Sequence, residues 1–177
     1  TGIVMPISRR YELLGWASKG EGRYIIEDDY DSELRLGGKP IPTLQSIDIS
    51  EKVIYMNTFT KTLASTVRIS YMILPRPLLE QFYQKLSFYS CTVSNFEQYT
   101  LDLFIKEGYF EKHINRLRNY YQNKKNGFLS AIRDSGLHKC VEISGEEAGV
   151  HFLMKLKTEK AEEKVMELAK AQGIKLS

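Results

Sequence analysis

Residues 109–136, YFEKHINRLRNYYQNKKNGFLSAIRDSG, constrain the fold more than any other stretch. Phe110, Ile114, Leu117, Tyr121 and Phe128 recur near the helical period, so one face is expected to be buried while Lys112, Arg116, Lys124 and Lys125 take the other. The same run, with Tyr120 and Tyr121, has the ingredients of an RNA-binding stripe, but its period reads as the wet face of a packed helix. So long a helix separates two differently patterned halves.

Ahead of it, SRRYELLGWASKG reads as a helix capped by Ser8 and ended by Gly20, followed by a strand in RYIIED. A polar segment broken by Gly37, Gly38, Pro40 and Pro42 leads to two more strands, KVIYMNTF and VRISYMILP. RPLLEQFYQKLSFYS and SNFEQYTLDLFIKEG read as consecutive helices. Behind the long helix, GVHFLMKLK alternates like a half-buried strand, and TEKAEEKVMELAKAQGI reads as an amphipathic helix capped by Thr158. The order predicts an α/β core over 1–108, the long helix over 109–135 and a small α+β unit over 136–177, with the chemistry in the loops after strands.

At 177 residues, 42% hydrophobic and 27% charged, the chain is patterned as a globular protein. The net charge of +3 is too small to argue for nucleic acid. No signal-peptide pattern and no apolar run of roughly 18 residues occurs, so a cytoplasmic location without membrane contact is expected. Cys91 and Cys140 lack metal-ligand spacing and are expected to be buried free thiols. His113, His151 and Trp16 are expected to be structural, and no metal site is assigned. The chain opens on TGIVMP and stops at AQGIKLS as if entering another strand, so it is expected to be an internal piece of a longer protein.

Two loops carry candidate chemistry. IEDDYDSE crowds Asp28, Asp29, Asp31 and Glu33 into six residues, but Leu34 stands where a calcium loop needs glycine. Solvated acids are one reading; the other is that Asp28 ends an apolar strand, and ligands of open α/β sheets sit beyond strand carboxyl ends. NTFTKTLASTVRISY lacks the glycines of a phosphate-wrapping loop. It does gather Thr58, Thr60, Thr62, Ser65 and Thr66 around Lys61 and Arg68. Hydroxyls with a guanidinium suit a phosphate monoester, and a desolvated lysine beside another cation is a nucleophile toward aldehydes.

TFTKTLASTVRISYMILP resembles the lysine segment of fold-type I aminotransferases, S-F-S-K-x-x-x-P-G-x-R-x-G-Y, which bind pyridoxal 5'-phosphate (PLP). IEDDYDSELR and GIVMPISRRYELLGWA resemble the aminotransferase-like domain of the MocR branch of GntR transcription regulators, where a winged helix-turn-helix precedes that domain. The resemblance implies part of a large domain with a mostly parallel sheet, the long interdomain helix and the start of a small domain. It implies that Lys61 holds the cofactor aldehyde as an imine, that Arg68, Thr58 and Thr60 bind the phosphate, that Asp28 pairs with the pyridine nitrogen and that Tyr30 donates to the ring oxygen.

Ser65 and Thr66 replace the family's Pro-Gly, and Ser70 replaces a glycine. Thr66 is therefore expected to be strained at a position of positive φ that aims Arg68. The glycine-rich phosphate loop, the ring-stacking aromatic and the carboxylate-gripping arginine are expected before Thr1 and after Ser177. Three functions follow from the resemblance. The first is a homodimeric sensor of an amino acid or amine, reading DNA through a domain absent from this chain. The second is an active aminotransferase. The third is an assembly segment that binds no cofactor.

Overall fold

The computed structural model describes residues 4–37, 41–145 and 149–175. Gly38 and Pro40, read as breakers, lie outside these residues, as do parts of the TGIVMP, GEEAG and AQGIKLS stretches. No described helix is long and apolar enough to cross a membrane.

Helix α1 spans Ile7–Ser18 and buries Ala17. It does not begin on a Ser8 cap: Pro6 occupies the cap position at φ −58°, ψ 149°, and its carbonyl accepts from Arg10 N at 3.2 Å. Proline's fixed φ starts the helix two residues early and leaves Ser8 inside it. Trp16 is half exposed, with the Arg23 guanidinium 5.0 Å over its ring.

The first sheet has the order β1-β2-β3, from β1 (Ile25–Asp28), β2 (Val53–Thr58) and β3 (Ser70–Ile73). The β1–β2 pair is parallel and the β2–β3 pair antiparallel. Asp28 lies opposite Met56, and Thr58 opposite Ser70. Side chains alternate across a strand, so Asp28, Met56, Thr58 and Ser70 share one face, while Glu27, Tyr55, Asn57 and Tyr71 share the other. Val53, Tyr55 and Asn57 are buried on that second face. Between β1 and β2, a one-turn helix α2 (Leu44–Ile47) presents its first amides to Glu27, whose carboxylate accepts from Leu44 N at 2.7 Å and Gln45 N at 3.0 Å.

Helices α3 (Arg76–Leu86) and α4 (Asn95–Lys106) form within the two stretches read as helices, α3 stopping short of the SFYS that was read into it, yet neither buries a residue. Phe82, Tyr83, Phe88, Tyr89, Phe96 and Tyr99 all stand exposed. With little packing to hold α4, its end chemistry matters more. Ser94 Oγ accepts from Glu97 N at 3.2 Å, and Glu97 accepts in return from Ser94 N at 3.3 Å, a reciprocal capping box. Ser94→Ala is expected to lower unfolding free energy by about 1 kcal/mol in a denaturant titration.

Helix α5 (Tyr109–Asp134) joins the two halves. Near its start Phe110 meets Phe59 edge to face at 5.7 Å, and Arg118 Nε donates to Glu33 O at 2.7 Å. Further along, Phe128 meets Phe152 at 5.3 Å. The buried positions are Ile114 and Ile132; Phe128, expected inside, is 44% exposed, with Phe152 against its ring. On the wet face Lys112 and Lys124 lie over the rings of Tyr109 and Tyr120.

A second sheet pairs β4 (Val141–Ser144) with β5 (Leu153–Leu156) antiparallel. Every residue of β5 is exposed rather than half-buried, since no described layer covers that strand. Helix α6 (Glu162–Ala171) starts after Ala161, not at Thr158. Thr158 Oγ1 instead accepts from Lys160 N at 3.2 Å in a turn ahead of the helix, and Glu162 and Glu163 place negative charge at the helix N-terminus. Cys91 and Cys140 are both free and both exposed, correcting the expectation of burial. Cys91 sits in the link between α3 and α4, where its Sγ accepts from Gln98 Nε2 at 3.7 Å, and Cys140 lies at the edge of β4.

Candidate functional site

The carboxyl ends of β1 and β2 open into a cleft of about 360 Å³. Asp28, Tyr30, Thr58, Thr60, Lys61 and Arg68 all line it. These six positions come from two segments, 28–30 and 58–68, and parallel pairing of β1 with β2 brings their ends together. Met56, Asn57 and Ser70 complete the lining; of these only Ser70 was singled out by the sequence, as a departure from the family's glycine and not as a lining residue. Ser70 and Met56 could have been found from strand register, as they sit opposite Thr58 and Asp28 on one sheet face.

The loop from β2 to β3 is fastened by its own backbone. Phe59 N donates to Ile69 O at 2.9 Å, Leu63 N to Phe59 O at 2.8 Å, and Val67 N to Ala64 O at 3.0 Å. Thr60 Oγ1 donates to Val67 O at 2.8 Å, while Thr58 Oγ1 lies 3.0 Å from Thr60 Oγ1 and 3.2 Å from Ile69 O. The two hydroxyls thus stand side by side at the mouth of the loop that carries Lys61 and Arg68.

Three expectations for this loop change. Ser65 and Thr66 form the middle of the turn closed by Val67 N, and among the described residues other than glycine only Glu51 has positive φ, so Thr66 carries no left-handed strain. Lys61 is exposed rather than desolvated. Thr62 is 1% exposed, with its hydroxyl 3.4 Å from Phe59 O, and lines no part of the cleft; Ser65 and Thr66 face solvent outside it.

The acidic segment divides its labour. Asp28 lines the cleft, whereas Asp29 turns behind it: its carboxylate accepts from Tyr55 OH at 2.9 Å and Ser32 Oγ at 2.9 Å, and its backbone N donates to Met56 O at 2.9 Å. Burial pushes the Asp31 carboxyl up, opposed by His151 and Lys61 and reinforced by Asp29 and Asp28. Burial likewise raises the Tyr55 and Tyr71 phenols, which stay protonated donors at neutral pH. His113 lies away from the cleft, under the loop and against α4.

No protein-family model matches the chain. Along 99% of its length it is 46% identical to the uncharacterized HTH-type transcriptional regulator YdeL of Bacillus subtilis, and 34% identical to the probable rhizopine catabolism regulatory protein MocR of Rhizobium meliloti. It spans 37% and 35% of those two proteins. Among solved structures, the kynurenine aminotransferase of Pyrococcus horikoshii, determined with PMP, superposes with a TM-score of 0.81 at 30% identity, over 99% of this chain and 43% of that one. The fold is that of the fold-type I aminotransferases.

Proposed function

We propose, from a chain that is a segment of an aminotransferase-like domain of the kind borne by HTH-type regulators related to MocR, that it is the PLP-binding, amino-compound-sensing part of a bacterial transcription regulator. The observation that carries the reading is the convergence in one cleft of an amine, a carboxylate, a phenol, two adjacent hydroxyls and a guanidinium. The cleft's volume falls within the range of small-molecule sites, and its donor set suits each end of this cofactor.

Arg68, Thr58 and Thr60 would hold the phosphate, Asp28 the ring nitrogen, Tyr30 the ring oxygen and Lys61 the aldehyde carbon. Bound there, PLP supplies an aldehyde that exchanges amines and a ring that accepts electron density. The Asp28 carboxylate keeps a proton on the ring nitrogen, and the Tyr30 hydroxyl donates to the ring oxygen. Lys61 Nζ would be the amine facing the aldehyde and, as a free amine, would hold or return a proton beside it. In this reading the protein is a cytoplasmic homodimer, an amino acid or amine is the effector, and a winged helix-turn-helix outside this chain reads DNA. The large-domain part ends near residue 108, and α5 carries the ligand-dependent change to the small domain.

Titration of the full-length protein with PLP is expected to give saturable visible absorbance, and Asp28→Ala is expected to weaken binding roughly tenfold or more, the size of one charge-assisted hydrogen bond. No absorbance in the wild type would leave the assembly-only reading. The likeness to an aminotransferase at 30% identity favours catalysis as the second reading. Sustained keto-acid production from amino acids would select it, while a single exchange that changes operator affinity selects the sensor.

A further inference from the structure

We propose that Asn57 is a positioning residue for the phosphate end of the cleft, acting from behind the sheet on Thr58 and, through it, on Thr60. The inference rests on the reading that this cleft takes a phosphorylated pyridoxal.

Asn57 belongs to the inward-facing row of β2, after Val53 and Tyr55, and is 3% exposed. Packing alone asks for an apolar residue in that row, since a buried carboxamide is costly unless its donors and acceptor are matched. They are matched here. Oδ1 accepts from Thr58 N at 2.5 Å, and Nδ2 donates to Glu33 Oε1 at 2.9 Å and to Tyr55 OH at 3.0 Å. The orientation is fixed chemically: a backbone N–H can only donate, and an ionised carboxylate can only accept. Tyr55 OH, accepting from Asn57, spends its own proton on Asp29 Oδ2.

The amide therefore clamps Thr58 to a frame made of both strand ends. Asp29 and Glu33 come from the segment after β1, and Arg118 of α5 closes the frame by donating to Glu33 O. Thr58 Oγ1 is 3.0 Å from Thr60 Oγ1, so a shift of the Thr58 backbone moves both hydroxyls that face the cleft. Asp28 and Tyr30, at the ring end, are held separately by β1 pairing and by Asp29 N on Met56 O. Loss of the Asn57 amide should accordingly be felt at the phosphate and not at the ring.

The test compares PLP with pyridoxal, which lacks the phosphate, in the full-length protein carrying Asn57→Ala, with Asn57→Ser as the gentler change; thermal melting of the ligand-free protein identifies the variant that folds as wild type. The expected result is a preference for PLP over pyridoxal that falls about tenfold, with pyridoxal affinity unchanged. A folded variant in which both affinities drop equally, or neither drops, overturns the proposal, because a merely structural role moves the two together. A wild type that binds neither compound overturns the cofactor reading itself, and this proposal with it. A wild type that binds both equally leaves the cofactor reading standing and overturns this one.

Discussion

Replacing Lys61 with alanine in the full-length protein is expected to abolish the imine absorbance band that PLP gives the wild type, leaving at saturating PLP only the absorbance of the free aldehyde. Lys61 is the lysine in the lining of the cleft formed by the strand ends, and its Nζ is the amine that can condense there with an aldehyde, releasing water. The effect is all-or-none for the covalent link. It is only partial for affinity, since Arg68, Asp28, Tyr30 and the two threonines remain. Lys61→Ala should therefore still retain PLP non-covalently, detectable by equilibrium dialysis. Lys61→Arg keeps the positive charge without an exchangeable amine and should also lack the absorbance. Borohydride treatment of the wild type should leave the added mass on the peptide containing Lys61. Because Lys61 is exposed and buries no neighbour, the ligand-free melting temperature is expected to stay within a degree or two of wild type, so a lost signal cannot be assigned to unfolding. Equal absorbance in Lys61→Ala and wild type would remove Lys61 from the site.

Asp28 and the hydroxyls and cations of the 58–68 loop were legible because they follow strands, the elements that β-branched, alternating runs identify best, whereas Tyr30 entered only through the family resemblance. Asp28 ends β1 as read, and β2 ends at Thr58, before the Phe59 that was read into it. What was not legible depended on partners distant in sequence. The DDYDSE segment shows four equivalent acids, yet Asp28 faces the cleft and Asp29 faces Tyr55, a difference decided by register with β2 and invisible within the segment. Asn57 could have been noticed as a polar residue in a buried alternating row, but the identity of its partners Glu33 and Thr58 required the fold. Helix ends failed for a local reason: Ser8 and Thr158 are good caps by type, but Pro6 begins α1 earlier and the turn at Thr158 delays α6 to Glu162. Helices α3 and α4 form where two consecutive helices were read, and neither buries a residue.

Arg68→Ala is expected to weaken PLP binding by roughly 10- to 150-fold while leaving pyridoxal binding nearly unchanged, the range spanned by one hydrogen-bonded contact to a charged group. Arg68 is exposed at the cleft, seven residues beyond Lys61, and the two are spaced by a loop whose closure does not depend on a glycine. The turn Ala64–Val67 is formed with ordinary backbone at Ser65 and Thr66, so the aim of Arg68 is set by Phe59 N on Ile69 O and by Thr60 Oγ1 on Val67 O, one on each side of it. Restoring the family's residues with Ser65→Pro and Thr66→Gly is accordingly expected to change PLP affinity little: proline suits the first central position of a turn, but glycine there relieves no strain that Thr66 carries. Arg68→Lys separates charge from shape. A lysine keeps the positive charge but loses the planar fork that binds two phosphate oxygens at once, so it should recover only part of the loss. If Arg68→Ala weakened PLP and pyridoxal alike, the guanidinium would be acting on the loop rather than on the phosphate. Full recovery by lysine would instead reduce its role to that of a point charge.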